Sequence, residues 1–371
     1  MPRLVVKIGS STLTTEDGRI DHRYLEDLAK QVEQVRAAGW QVVIVSSGAI
    51  ACGLERLGLS GRRPDDMPTL QAAASIGQGL FAAAYGDAFA KCGMLTSVVL
   101  LTRRDTADRT AYLHARDTLE RLLELGAVPI VNENDTVSVE QIRFGDNDTL
   151  SALVACLIGA DLSIILSDVE GLFDGNPALD PAARLISVVD GIGQDILSVA
   201  GDAGSPVGSG GMVTKVKAAR VLGVAGIPLV VCSGRRPGVI ADAAAGESVG
   251  TLFKASHGRH DISPRKLWIA LGDTARGALI ADEGAKQALQ ERGGSLLAVG
   301  VAAVEGDFAP GDIVDIKDGC GFLFARGRVA AGRDEVELAL GRSQQELQRN
   351  RLLAEMAEKP LVHRDDLVIF D

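Results

Sequence analysis

Aromatic side chains are scarce in this chain. They make up 4% of it, while hydrophobic residues in all make up 46%, so the core has to be built mostly from Ala, Val, Leu and Gly. That favours helices packed closely on a buried sheet and argues against an aromatic-rich β-sandwich. Positive charge is also in short supply. With 38 Lys and Arg against 49 Asp and Glu, the formal net charge is −11, which repels nucleic acid and anionic membranes. The cysteines (Cys52, Cys92, Cys156, Cys232 and Cys320) are odd in number and scattered, with no CxxC pair. This argues against a disulfide framework or a zinc site, and they read as small buried hydrophobes in a reducing compartment. No apolar run approaches the roughly 20 residues that a membrane helix needs. The chain opens directly on LVVKI, which leaves no room for a signal peptide, so a cytoplasmic location is expected.

What the chain does have, over its first 250 residues, is an alternation of two textures. Apolar, largely β-branched runs occur at LVVKI (4–8), VVIV (42–45), LTSVVLL (95–101), AVPIV (127–131), LSIIL (162–166) and IPLVV (227–231). Their hydrophobicity is continuous, which fits strands covered on both faces, as in a parallel sheet. Helix-length segments separate them. Leu25, Leu28, Val32 and Val35 recur at helical spacing before Gly39, and residues 105–125 behave similarly before Gly126. A doubly wound, mainly parallel α/β sheet sandwiched by helices is expected for residues 1–258. Ligands of such sheets collect beyond the carboxyl ends of strands, so the residues just after each run are the candidates. Near Ser263 and Pro264 the texture changes. Short segments such as KLWIA, SLLAV, DIVDI and FLFARGRV, separated by turn residues, predict a small, mainly β domain over residues 265–371. One helix is expected at 282–292 and a helical stretch near 343–356.

Polar groups gather at the strand ends. Lys7 lies inside the first run, where a buried ammonium calls for an anionic partner; a strand-edge lysine reaching out to water is the alternative. Ser46, Ser47 and Gly48 open a helix after the second run, with N–H groups and hydroxyls suited to a carboxylate or phosphate. After the fourth run come VNENDTV and FGDNDTLSA, which carry Asn132, Glu133, Asn134, Asp135, Asp146, Asn147 and Asp148. Turns and caps explain part of this, with Asp148 capping a helix that begins near Leu150. The whole cluster suits recognition of an ammonium and a carboxylate together, as on an amino acid. Ser167 and Asp168 end the fifth run ahead of a DGNP turn, residues that fit either a nucleotide's base and ribose or a plain loop. GSGGMVTK (208–215) comes close to a phosphate-binding P-loop, but Thr214 stands where Gly should precede Lys215, and the segment comes late in the chain. Its glycines let the backbone approach a ligand, and the N-terminus of the helix that follows is suited to phosphate.

Taken in order, KIGSSTL, IVSSGAI, VNENDTV, GDNDTLSA, LSDVEGL and GSGGMVTK closely resemble the glutamate 5-kinases of the amino acid kinase family. The C-terminal part, through VHRDDL, resembles the PUA domain attached to bacterial members. The likeness covers essentially the whole chain. Ser10 and Ser167 stand where threonine is common, and both keep the hydroxyl. The resemblance implies an amino acid kinase fold with a PUA-like domain. It also implies transfer of the γ-phosphoryl group of ATP, with Mg2+, to the side-chain carboxylate of L-glutamate, on the route to proline. Lys7 and Lys215 would contact the phosphoryl group, and Asp148 would hold them in place. Ser47, Asp135, Asn147 and Asn134 would meet glutamate. Lys7, Ser167, Asp168, Ser209, Gly210, Gly211, Met212, Val213, Thr214 and Lys215 would meet ATP. No residue is assigned as a metal ligand. A homo-oligomer, dimer or tetramer, and a proline effector are further implications.

The chemistry agrees with these residue types. A glutamate side chain, with a pKa near ~4.3, is already ionised at neutral pH, so no general base is needed. None of the five histidines falls in the six motifs from KIGSSTL to GSGGMVTK. Two lysines facing the transferring group would offset the charge spreading over its oxygens, and phosphates and waters can fill the coordination sphere of Mg2+. A family member acting on aspartate, acetylglutamate, carbamate or a nucleotide monophosphate is the competing enzyme reading; NEND, GDND and the PUA-like tail argue for free glutamate. RNA binding through the C-terminal part is the other. From Arg265 onward there are 14 Lys and Arg against 18 Asp and Glu, a net of −4, the wrong sign for tracking phosphates.

Overall fold

The six apolar runs all become strands, and two further short strands join them. The computed structural model describes residues 1–15, 17, 19–59, 64–102, 109–137, 147–177, 179–202, 211–255, 263–271, 275–351 and 353–370. Two compact units emerge, Met1–Arg259 and His260–Asp371. In the first, the strands are β1 (Arg3–Ile8), β2 (Gln41–Ser46), β3 (Thr96–Leu101), β4 (Val128–Glu133), β5 (Leu162–Ser167), β6 (Val188–Val189), β7 (Leu229–Ser233) and β8 (Thr251–Phe253). The helices are α1 (Ser10–Leu13), α2 (His22–Ala37), α3 (Ala49–Arg56), α4 (Met67–Ala90), α5 (Arg109–Glu124), α6 (Asn147–Leu157), α7 (Gln194–Asp202), α8 (Met212–Val224) and α9 (Val239–Ala244).

The strands form one eight-stranded sheet in the order β3-β4-β2-β1-β5-β7-β8-β6. Pairing is parallel from β3 through to β7, and only β8 runs antiparallel to β7. From β1 the chain first builds outward through β2, then returns to add β5 on the other side. Such a reversal opens a crevice at the carboxyl ends of β1 and β5, where ligands of wound sheets bind.

Side chains alternate across β1. Leu4, Val6 and Ile8 enter a core shared with Leu25, Leu28 and Val32 of α2, Phe81, Tyr85 and Phe89 of α4, and Ile240 of α9. Val5 and Lys7 take the opposite face, where α6 packs on β1, β2, β4 and β5. The edge strand β3 departs from expectation. Its run is continuously apolar, yet Val98 and Leu100 are exposed, because β3 has a neighbour on one side only.

Two helices cross at glycine. A Cβ on Gly53 of α3 would collide with the Ala73 carbonyl, and one on Gly77 of α4 with the Ala49 carbonyl. Only hydrogen fits, so the backbones touch, and α3 is pinned directly after the Ser46, Ser47, Gly48 turn. Thermal unfolding checks this. Gly53→Ala or Gly77→Ala should destabilise by about 2 kcal/mol or more through overpacking. Gly79→Ala, on the same helix with nothing within 4 Å of its added carbon, should be neutral or stabilising by up to about 1 kcal/mol.

The second unit holds β9 (Gly277–Ala281), β10 (Val301–Gly306), β11 (Ile313–Lys317), β12 (Leu323–Arg328) and β13 (Leu367–Ile369) in a five-stranded sheet ordered β10-β9-β11-β12-β13. Its helices are α10 (Pro264–Leu271), α11 (Glu283–Arg292), α12 (Arg333–Ala339), α13 (Gln344–Arg349) and α14 (Ala354–Glu358). Two expected short segments are corrected here. KLWIA is helical, within α10, and SLLAV contains the start of a 3-10 turn at Ala298–Gly300 instead of a strand. The α10 start was written in the sequence: Ser263 caps it, its Oγ accepting from Lys266 N at 3.3 Å, the usual work of a serine ahead of a helix. The cysteines are all free, but only Cys52 and Cys232 are buried; Cys92 and Cys156 are half-buried and Cys320 is exposed. Among the described residues, no helix is long and apolar enough to cross a membrane.

Candidate active site

The crevice is organised around one carboxylate. Asp148 stands in the first turn of α6 with no solvent exposure, while Lys7 and Lys215 are 6% and 4% exposed. Lys7 Nζ, from the middle of the sheet, lies 2.6 Å from Asp148 Oδ1. Lys215 Nζ, from the first turn of α8, lies 3.3 Å from Oδ2. Thr214 Oγ1 donates to the same Oδ2 at 2.6 Å. Asp148 does not act as the cap that was one reading of it; its side chain lies between the two lysines that the family resemblance set beside it. The helix begins earlier, at Asn147, and the side chain points to partners remote in the chain.

Burial alone would raise the Asp148 pKa, but the charges of Lys7 and Lys215, with the hydrogen bonds from Lys7 and Thr214, lower it from 3.8 to about 2. The group is thus anionic across the physiological range. Two ammonium groups share one buried carboxylate. Two such tips drawn together in one crevice suit the oxygens of an anion.

A second group sits beside it. Asn147 directs its amide nitrogen at Ser47 Oγ (2.7 Å), Ser46 O (2.9 Å) and Asn132 Oδ1 (3.1 Å). Asn132 in turn donates to Gln78 Oε1 at 2.9 Å, and Ser46 Oγ is 2.8 Å from the buried Tyr85 hydroxyl. This chain ties the β2–α3 turn, the end of β4 and the start of α6 together. Asn134 and Asp135 lie half-buried in the turn just past β4, where Asn134 N donates to Leu101 O at 2.9 Å.

Ser167 ends β5, next to β1, Asp168 follows it, and the serine hydroxyl donates to Asp168 Oδ1 at 3.0 Å. Gly211 caps α8, and Met212, Val213 and Thr214 form its first turn. Ser209, Gly210 and Asp146 lie outside the described residues. Sequence reasoning missed Gln78, whose only signal is an amide within the largely apolar α4, and missed Thr214 as a partner of Asp148. Among the described residues no cluster of three or more His, Cys, Asp or Glu could hold a metal, and Asp148 is already committed to the lysines.

Fold and crevice together define a kinase of the sandwiched α/β class. Residues 2–233 match the amino acid kinase family and residues 277–350 the PUA domain, and the chain belongs to the amino acid kinase family. Over nearly its full length it is similar to the glutamate 5-kinase of Syntrophotalea carbinolica, 46% identical across 99% of this chain and 97% of that one. It is likewise similar to the glutamate 5-kinase of Streptomyces coelicolor, 50% identical across 99% and 96%. Among solved structures, the carbamate kinase of Giardia lamblia, bound to AMP-PNP, superposes with a TM-score of 0.50 at 18% identity, covering 68% of this chain and 98% of that one. That likeness speaks for the shared fold.

The charge balance has a consequence for acid stability. Because the Asp148 pKa is lower in the folded state than its ordinary 3.8, its contribution is complete above 3.8 and lost as pH falls through about 2. Urea unfolding of wild type and Asp148→Asn should therefore differ by about 2 kcal/mol less at pH 2 than at neutrality. A difference that does not change with pH would contradict the paired carboxylate.

Proposed function

We propose that this chain transfers the γ-phosphoryl group of ATP to the side-chain carboxylate of L-glutamate, forming L-glutamyl 5-phosphate. The observation that carries this reading is the buried triad of Lys7, Asp148 and Lys215, which brings two ammonium tips to one place at the sheet's crevice. The full-length similarity to glutamate 5-kinases supports the choice of acceptor.

Glutamate binds on the β2 and β4 side, met by Ser47, Asn147, Asp135 and Asn134. ATP binds on the β5 and β7 side, met by Ser167, Asp168 and the segment that leads into α8. Mg2+ would be held by the phosphates of the bound nucleotide, where it would offset their charge. The acceptor carboxylate is already anionic, so no side chain has to remove a proton. The obstacle is bringing one anion onto another. Lys7 and Lys215 lower it by facing the equatorial oxygens as charge spreads over them. Asp148 keeps the two ammonium tips at a fixed separation and prevents either from swinging to solvent.

The unit 1–258 thus contains both substrate sites. We further assign the reaction to the cytoplasm and to the first step of proline biosynthesis, with proline as feedback effector. A homo-oligomer is favoured by the first unit's own surface: Val98 and Leu100 on edge strand β3, and Ile76 and Leu80 on α4, which packs against it, are exposed.

A coupled ADP-release assay with L-glutamate, ATP and Mg2+, repeated with proline, tests the reading, and hydroxylamine trapping of acyl phosphate identifies the acceptor. Turnover on glutamate, inhibited by proline, is expected. Turnover only on aspartate, acetylglutamate, carbamate or a nucleotide monophosphate would overturn it. Lys7→Ala and Lys215→Ala should each lower kcat by about 100-fold or more, equivalent to about 3 kcal/mol of barrier, with a much smaller change in the KM for glutamate. Equal effects on both constants would remove the lysines from the transition state.

A further inference from the structure

Between β5 and β6 the chain makes an excursion beyond the sheet. It leaves after Ser167 and Asp168, reverses at the DGNP turn and returns through Leu185 and Ile186. The two arms pair with each other. Phe173 bridges Leu185 in antiparallel fashion, Asp174 N donates to Arg184 O at 3.0 Å, and Ile186 N donates to Leu172 O at 2.8 Å. Leu179, beyond the turn, is almost fully exposed.

One side chain bridges both arms at the base of this excursion. Thr251, the first residue of β8, is wholly buried. Its hydroxyl accepts from Leu172 N at 2.8 Å and donates to Ile186 O at 2.7 Å. One oxygen thereby closes both arms. The approach is close on all sides. Gly250 has φ +59, and a Cβ there would run into Val231 O and stand 2.8 Å from Glu170 O. A Cβ on Gly171 would lie 2.5 Å from Thr251 Oγ1. Thr251 also pairs with Val231 of β7, two residues before Ser233, which faces Ser167 in the sheet.

We propose that Thr251 is a positioning residue for the nucleotide half of the site. Its hydroxyl fixes the course of residues 168–172, and so the wall that Ser167 and Asp168 present to ATP. This rests on the nucleotide reading of those two residues. A purely structural threonine would affect folding stability and the active fraction. A positioning threonine moves ATP affinity selectively, because Ser47 and Asn147 lie on the other side of β1.

The test uses the full chain with Thr251→Val, which keeps the shape and loses both hydrogen bonds, and Thr251→Ser, which keeps the hydroxyl. ATP and glutamate are varied separately in steady-state kinetics, and ATP binding is measured by calorimetry without glutamate. Thr251→Val should raise the KM and Kd for ATP about tenfold and leave the glutamate KM unchanged, while Thr251→Ser stays near wild type. Unchanged ATP affinity in folded Thr251→Val overturns the proposal. Should that variant not fold, Gly171→Ala crowds the same hydroxyl and must show the same selective loss; unchanged ATP affinity there overturns it equally. If the wild-type chain binds no ATP, the nucleotide reading falls first, and this inference with it.

Discussion

Two lysine ammonium groups meeting inside a protein repel each other, and each loses its hydration. The fold can hold Lys7 and Lys215 in one crevice only because Asp148 stands between them, one carboxylate oxygen for each. Coulomb attraction at contact distance, in surroundings far less polarisable than water, outweighs what burial would do to the carboxylate. The architecture answers to this constraint. β1 brings the first lysine, α6 must begin at Asn147 to aim the aspartate, and α8 must start with its fourth residue turned inward.

The arrangement presents two ammonium tips to one place, and it divides the crevice. On one side the amide chain from Gln78 through Asn132 to Asn147 fixes the β2–α3 turn. The glycine contact between α3 and α4 holds that turn from behind. On the other side the end of β5, the end of β7 and the start of α8 form the opposing wall. Transfer of a charged group between two anions needs this kind of rigid, pre-aligned positive centre more than it needs an acid or base.

Much of this was legible from residue order. Six strands of the first unit declared themselves by continuous Val, Leu and Ile, while β6 and β8 did not, and the polar positions after β1, β2, β4 and β5 were the candidates for the crevice. Strand ends were less legible. β4 continues through Asn132 and Glu133 because their backbone still pairs with Leu100 and Leu101, which composition does not reveal. Asp148 could be read locally as a cap, and only the family resemblance pointed to Lys7 and Lys215, partners far away in the chain that the tertiary fold brings close. KLWIA illustrates the ambiguity of short apolar runs; the serine ahead of it carried the helix signal. Thr251 gave no sign at all, since a single hydroxyl in a short strand acquires meaning only from the loop laid across it.

The central claim is that both ammonium tips serve a single travelling phosphoryl group. The most direct measurement is a crystal structure with ADP, Mg2+, aluminium fluoride and L-glutamate bound. The account predicts Lys7 Nζ and Lys215 Nζ each within hydrogen-bonding distance of the same fluoride group, with Asp148 still contacting both. A complex in which either lysine remains remote from that group, or in which Asp148 turns away to bind the metal, would contradict it.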